Sequence, residues 1–153
     1  MILLRHELAT LAYRAGKALR GAPPEFAAYK PGPDSRSAVE IVAHLGDLMD
    51  WATSINEGDQ KWNQGPPQAW DVEVARFFES VAKFDQSLAA HPPKLGTPEQ
   101  LFQGPIADAL THVGQLTMMR RLAGAAIRAE NYHKADIKEG RVGPEQAPPK
   151  REF

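Results

Sequence analysis

The sequence predicts an all-α fold, an antiparallel four-helix bundle carrying an extended C-terminal tail. Apolar residues return every three or four positions through four separate segments, the repeat of one helix face. No segment alternates apolar and polar residues as a half-buried strand does, and β-branched residues are sparse. Proline and glycine clusters divide the periodic segments from one another. At 153 residues the chain reads as one domain, residues 1–153, large enough to bury a core without staples.

The first segment, Met1–Arg20, places Leu4, Leu8, Leu11, Ala15 and Leu19 on one face, and Gly21-Ala22-Pro23-Pro24 ends it. Pro31-Gly32-Pro33 completes the connecting loop. A second helix starts at Ser37, where Glu40 three positions later suits a capping box. It runs through Ile41, Leu45, Leu48, Ala52 and Ile55 to Asn56. After a polar loop containing Pro66-Pro67, Trp70–Ala90 supplies Val74, Phe77, Phe78, Val81 and Leu88, and His91-Pro92-Pro93 stops it. Thr97-Pro98-Glu99-Gln100 has the form of another helix start, with Thr as N-cap and Pro in the first turn. Gly104-Pro105 interrupts that segment before a long fourth helix, Pro105–Arg128. From Glu130 the periodicity ends and Gly140, Gly143, Pro144, Pro148 and Pro149 gather. The scattered Tyr132, Ile137, Val142 and Phe153 argue that this tail lies across the bundle or against a partner.

Composition excludes several function classes. Hydrophobic residues at 42% and charged residues at 24% fit a globular protein in water. No apolar run approaches the roughly 18 residues needed to span a bilayer. Charge at Arg5 and Glu7 interrupts the first residues too early for a signal-peptide core, so a cytoplasmic location without a membrane partner is expected. The chain has no cysteine, which removes disulfides, a thiolate nucleophile and Cys-ligated zinc or iron–sulfur centres. Any thiol chemistry needs a thiol from outside. A formal net charge of −1 gives no basis for nucleic-acid binding, and the basic residues, dispersed apart from Arg120-Arg121 and Lys150-Arg151, read as a solvated face.

The candidate site breaks the apolar pattern. Asp108 and His112 lie four residues apart in a helix face that otherwise carries Ala109, Leu116, Met119, Ala123 and Ile127. His44 repeats the anomaly in the second helix beside Ile41, Leu48 and Ile55. Burying such groups among aliphatic side chains is costly unless something pairs with them. Two neutral imidazoles and one carboxylate, converging from two helices, make a divalent-metal triad suited to Zn, Ni, Fe or Mn. The competing reading is ordinary: Asp108 hydrogen-bonded to His112, His44 satisfied by a backbone carbonyl, and Glu40 or Asp47 available for local pairing. Around the triad, Gln115 is placed to orient a ligand one turn after His112. Trp51, on the same side as His44, either walls the pocket or belongs to the core. Tyr132 and His133, where the tail begins, can reach the bundle mouth as substrate contacts. His6 and His91 are expected at the surface, and Met118-Met119 in the core.

His44-Leu45-Gly46-Asp47-Leu48 followed by Trp51, with Asp108-Ala109-Leu110-Thr111-His112-Val113-Gly114-Gln115-Leu116 downstream, resembles the DinB superfamily of metalloproteins. The likeness covers nearly the whole chain, and its most specific part is the His-x-Gly-Gln segment. It implies an up-down-down-up four-helix bundle, commonly a homodimer, with a metal held by three histidines. His44 and His112 match two of those ligands, while Asp108 stands where the family has the third histidine. The departure reads either as a His/Asp/His site with one more negative charge or as a branch without its metal.

Two functions follow as expectations. The first is a metal-dependent enzyme that acts on a small-molecule substrate, transferring or using a low-molecular-weight external thiol. The second is a non-catalytic dimeric bundle, small-molecule-binding or stress-related, that has lost its metal.

Overall fold

A computed structural model describes all residues from Met1 to Phe153. It is all-helical, with four long helices around one core and no strand beyond an isolated bridge between Glu130 and Glu152. Helix α1 spans Ile2–Leu19, α2 spans Ala38–Glu57 and α3 spans Trp70–Ala90. A single turn, α4 (Pro98–Leu101), leads through a π-helical turn, Phe102–Ile106, into α5 (Ala107–Leu122). Helix α1 packs against α3 and α5, and α2 packs against the same two, so α1 and α2 take opposite corners. None of these helices is long and apolar enough to cross a membrane.

The apolar faces legible in the sequence are the ones that close the core. Leu8, Leu11 and Ala15 of α1 are fully buried against Leu45, Met49 and Ala52 of α2, Phe77, Val81 and Phe84 of α3, and Ile106, Ala109 and Leu116 of the last helical run. Each large side chain removed from water here contributes about 1.5–3 kcal/mol. Both expected capping boxes form: Ser37 with Glu40 fixes the start of α2, and Thr97 with Gln100 fixes that of α4.

Four expectations are corrected. Gly104-Pro105 does not break the helix, because Leu101, Phe102, Ile106 and Ala107 all keep right-handed helical dihedrals around the π turn. A π turn spaces its hydrogen bonds one residue wider, and the missing proline N–H is absorbed there. The fourth helix stops at Leu122 rather than Arg128. Gly124 turns left-handed at φ +76°, and the Ala125 N–H bonds back to the Arg120 carbonyl, closing the helix end. Ala123 and Ile127 therefore lie beyond the helical stripe. Met118, expected in the core, is 55% exposed, and Arg120, expected in water, is buried. Its guanidinium donates to the carbonyls of Ala18, Arg20 and Gly21, the bare end of α1, and to Ala125.

After Leu122 the chain holds one short 3₁₀ turn, Tyr132–Lys134, and lies along α1. Glu130 accepts from Tyr13 and Lys17, and Lys17 also pairs with Glu152. Arg5 joins Asp85 of α3 to Glu139.

Candidate metal centre

The centre forms where α2 and α5 face each other. The Ser37 cap sets the register of α2, which turns His44 toward α5 two turns later. On α5, the four-residue step stacks Asp108 and His112. One donor atom from each of His44, Asp108 and His112 lies within 4.8 Å of the others. The two imidazole rings meet edge to face at a centroid distance of 4.8 Å. His44 Nε2 stands 3.5 Å from one Asp108 oxygen, and His112 Nε2 stands 3.5 Å from the other.

These separations bear on the two readings of the triad. A direct hydrogen bond between imidazole and carboxylate needs about 2.7–3.2 Å. Bonds of about 2.0–2.2 Å to one metal space tetrahedral neighbours about 3.3–3.6 Å apart. The two Nε2–oxygen pairs thus stand nearer ligand spacing than hydrogen-bond spacing, within a donor set that spans up to 4.8 Å. The ordinary partners foreseen for His44 are also engaged elsewhere. Glu40 caps Ser37 and faces Lys30, and Asp47 pairs with Arg76. No backbone carbonyl reaches His44, whose Nδ1 is buried without a partner. Burial, reinforced by the positive charge of Arg36 and by His112, pushes the His44 imidazole toward its neutral form against the opposing pull of Asp108. Neutral imidazole is the metal-binding form.

Gln115 completes the arrangement. Its side-chain oxygen accepts a hydrogen bond from His112 Nδ1 at 2.8 Å. Because an amide oxygen only accepts, His112 Nδ1 is the donor, and in the neutral ring Nε2 then presents its lone pair toward Asp108. The residues present fit a divalent cation: two oriented imidazole nitrogens and one charge-balancing carboxylate.

One property of the site differs from expectation. The side chain of Asp108 is 48% exposed, against 12% and 13% for His44 and His112, so the triad opens to solvent at the groove instead of lying in the core. Its rotation of about 40° from His112 around the helix puts it at the margin of the apolar stripe.

The surrounding residues divide. Trp51 walls the site indirectly: it meets Trp62 edge to face at 5.8 Å, and Trp62 meets His44 likewise at 5.8 Å. Tyr132 and His133 are not brought to the triad. Tyr132 packs on Tyr13 under the guanidinium of Arg14, and His133 is exposed. His91 sits at the far end of α2, paired with Glu57.

Sequence reasoning missed Trp62 and Arg36. Trp62 lies in the proline-bounded loop after α2, and a lone tryptophan in a polar loop was its only signal. Arg36 lines the cleft beside His112 and also the one beside His44. Compared with known proteins, the chain matches no family model, no curated protein and no solved structure.

Proposed function

We propose that the chain is a DinB-like metal-dependent protein whose His44, Asp108 and His112 hold one divalent ion, and that it uses this centre on a small molecule. The carrying observation is the paired 3.5 Å spacing of both Nε2 atoms from the two oxygens of Asp108. When bound, a Zn, Ni, Fe or Mn ion supplies Lewis acidity, lowering the pKa of a water or thiol it coordinates. The chain's own residues do the rest. Gln115 holds the His112 proton on Nδ1, Asp108 offsets the cation's charge, and Trp62 with Trp51 shields one flank of His44. A chain without cysteine is consistent with chemistry on an external low-molecular-weight thiol.

The up-down-down-up order and the homodimer belong to the same reading. The placement of α1 and α2 at opposite corners supports the first, and the 78% and 72% exposure of Ile2 and Leu3 supports the second.

Elemental analysis of untagged protein after loading with each metal tests the centre, with His44→Ala and His112→Ala alongside. Near-stoichiometric metal abolished by both substitutions is the expected result, accompanied in wild type by Ni quenching of Trp62 fluorescence. Protein that takes up no metal under any loading condition would sink the reading. Loss of free thiol in the presence of an electrophilic acceptor then tests the thiol reaction, and thiol loss identical in His112→Ala would count against it.

A further inference from the structure

A cleft of about 510 Å³ opens directly beside the triad, and His112 and Gln115 form part of its wall. Most of the rest is apolar. Ile41 and Met119 are buried at its floor, whereas Met118 and Leu122 are 55% and 58% exposed along its rim. Arg36 supplies the one permanent positive charge in this lining. It forms no ion pair: neither Asp34 nor Glu40, the acids nearest to it in sequence, reaches it, and Glu40 is held by the Ser37 cap and by Lys30. Several other arginines of the molecule are committed. Arg5 and Arg76 pair with carboxylates, Arg120 caps α1, and Arg14 lies over Tyr132. Arg36 also lines a second cleft together with His44, so it borders the triad as well as the first cleft.

We propose that Arg36 recognises the substrate, and that the substrate is a small carboxylic acid with a short apolar body. The carboxylate lies on the guanidinium fork of Arg36, the body lies against Ile41, Met118, Met119 and Leu122, and the far end reaches His44 and His112. A single guanidinium matches one negative charge and the planar geometry of a carboxylate. A phosphate ester, with a charge of about −1.5 to −2, calls for more donors than this wall offers. The apolar rim explains why Met118 and Leu122 stand in solvent beside a polar centre: they form the surface that a hydrocarbon body covers. This substrate class rests on the reading of the triad as a metal centre.

Hexanoate is the probe, titrated into metal-loaded protein carrying ¹³C-methyl methionine, with hexanamide as its uncharged counterpart. Hexanoate is expected to shift the Met118 and Met119 methyl signals saturably, leaving that of the core residue Met49 in place. Arg36→Gln is expected to weaken hexanoate binding about tenfold or more, the effect of losing a charge-assisted hydrogen bond, and Arg36→Lys less. Arg36 lies exposed before the α2 cap, so these variants keep the fold. Binding of hexanamide as tight as hexanoate, or an Arg36→Gln affinity within about twofold of wild type, would overturn the assignment. Metal uptake is read separately by elemental analysis. Full metal uptake with hexanoate indifferent to Arg36 defeats this inference alone. Hexanoate binding through Arg36 in protein that takes up no metal supports Arg36 and defeats the metal centre alone.

Discussion

At the scale of single residues, the donor set depends on a proton held one turn away. In the proposed centre Gln115 is no ligand, yet its carbonyl oxygen accepts from His112 Nδ1, which in the neutral ring leaves Nε2 free to ligate. Gln115→Leu removes that acceptor on an exposed helix surface, where the fold has little at stake. Metal affinity is expected to fall about 10- to 100-fold, the usual range for a residue that orients a ligand histidine, with thermal stability of the metal-free protein unchanged. Competition against a chelating dye measures it, and unchanged affinity would show that His112 needs no orienting partner. His44, Asp108, His112 and Gln115 were all legible in the sequence because helix periodicity converts spacing into direction. Trp62 and Arg36 were not, since both precede or follow helices in segments where no period fixes where a side chain points. Asp108 was legible as a neighbour of His112 but not as a half-exposed one, because spacing gives an angle and not the edge of the covering helix.

At the scale of elements, helix starts were readable and helix ends less so. A capping box is a local exchange between two side chains and two backbone N–H groups, so Ser37–Glu40 and Thr97–Gln100 announce themselves. The end of α5 is set instead by Gly124 and by Arg120, which leaves its own helix to satisfy the carbonyls of α1. Nothing local in the sequence records that distant demand. Gly46 has a similar explanation. A Cβ there would stand 2.8 Å from the Arg76 guanidinium, which lies against α2 to reach Asp47 and the Ala43 carbonyl. The other end of the α2–α3 pair is tied by Glu57, which accepts from the Ser87 hydroxyl and Lys94 and faces His91. The Ser87 hydroxyl and the Lys94 ammonium hold the Glu57 carboxyl down to about 2, from an ordinary 4.5. A depressed carboxyl stabilises the fold above its unfolded value, and that contribution is lost as pH falls through the folded one. Between pH 4.5 and about 2, Glu57→Gln is therefore expected to lose less melting temperature than wild type. Melts followed by circular dichroism across that window check the difference, and parallel slopes would show that Glu57 gains nothing from its partners on folding.

For the whole molecule, the last thirty residues are held to the bundle by charge as much as by apolar contact. Their composition suggested a tail, and its few apolar residues suggested that it lies on something. The sequence pattern did not say what, because the anchors are single polar groups more than a hundred positions apart. Lys17 of α1, 10% exposed, stands between Glu130 and Glu152, and the Glu130 side chain is fully buried beneath it. Burial pushes the Lys17 ammonium down, but its bonds to Glu130 and Glu152 more than offset this and leave it raised. Tyr13 donates to the other Glu130 oxygen, and burial with that bond raises its own pKa, so the phenol stays a donor. The Glu130–Glu152 bridge then fastens the chain end to the tail's beginning. Replacing Glu130 by Gln keeps the volume and the tyrosine contact but removes the charge that Lys17 needs. A loss of about 1–3 kcal/mol is expected, the range for a buried charge-assisted hydrogen bond, read by urea denaturation. Lys17→Met is expected to cost a similar amount. Because both changes remove one interaction, the double variant should lose less than the two single losses combined. Strict additivity would mean that Lys17 and Glu130 do not meet in solution, and the tail would then be held to α1 by its other contacts alone.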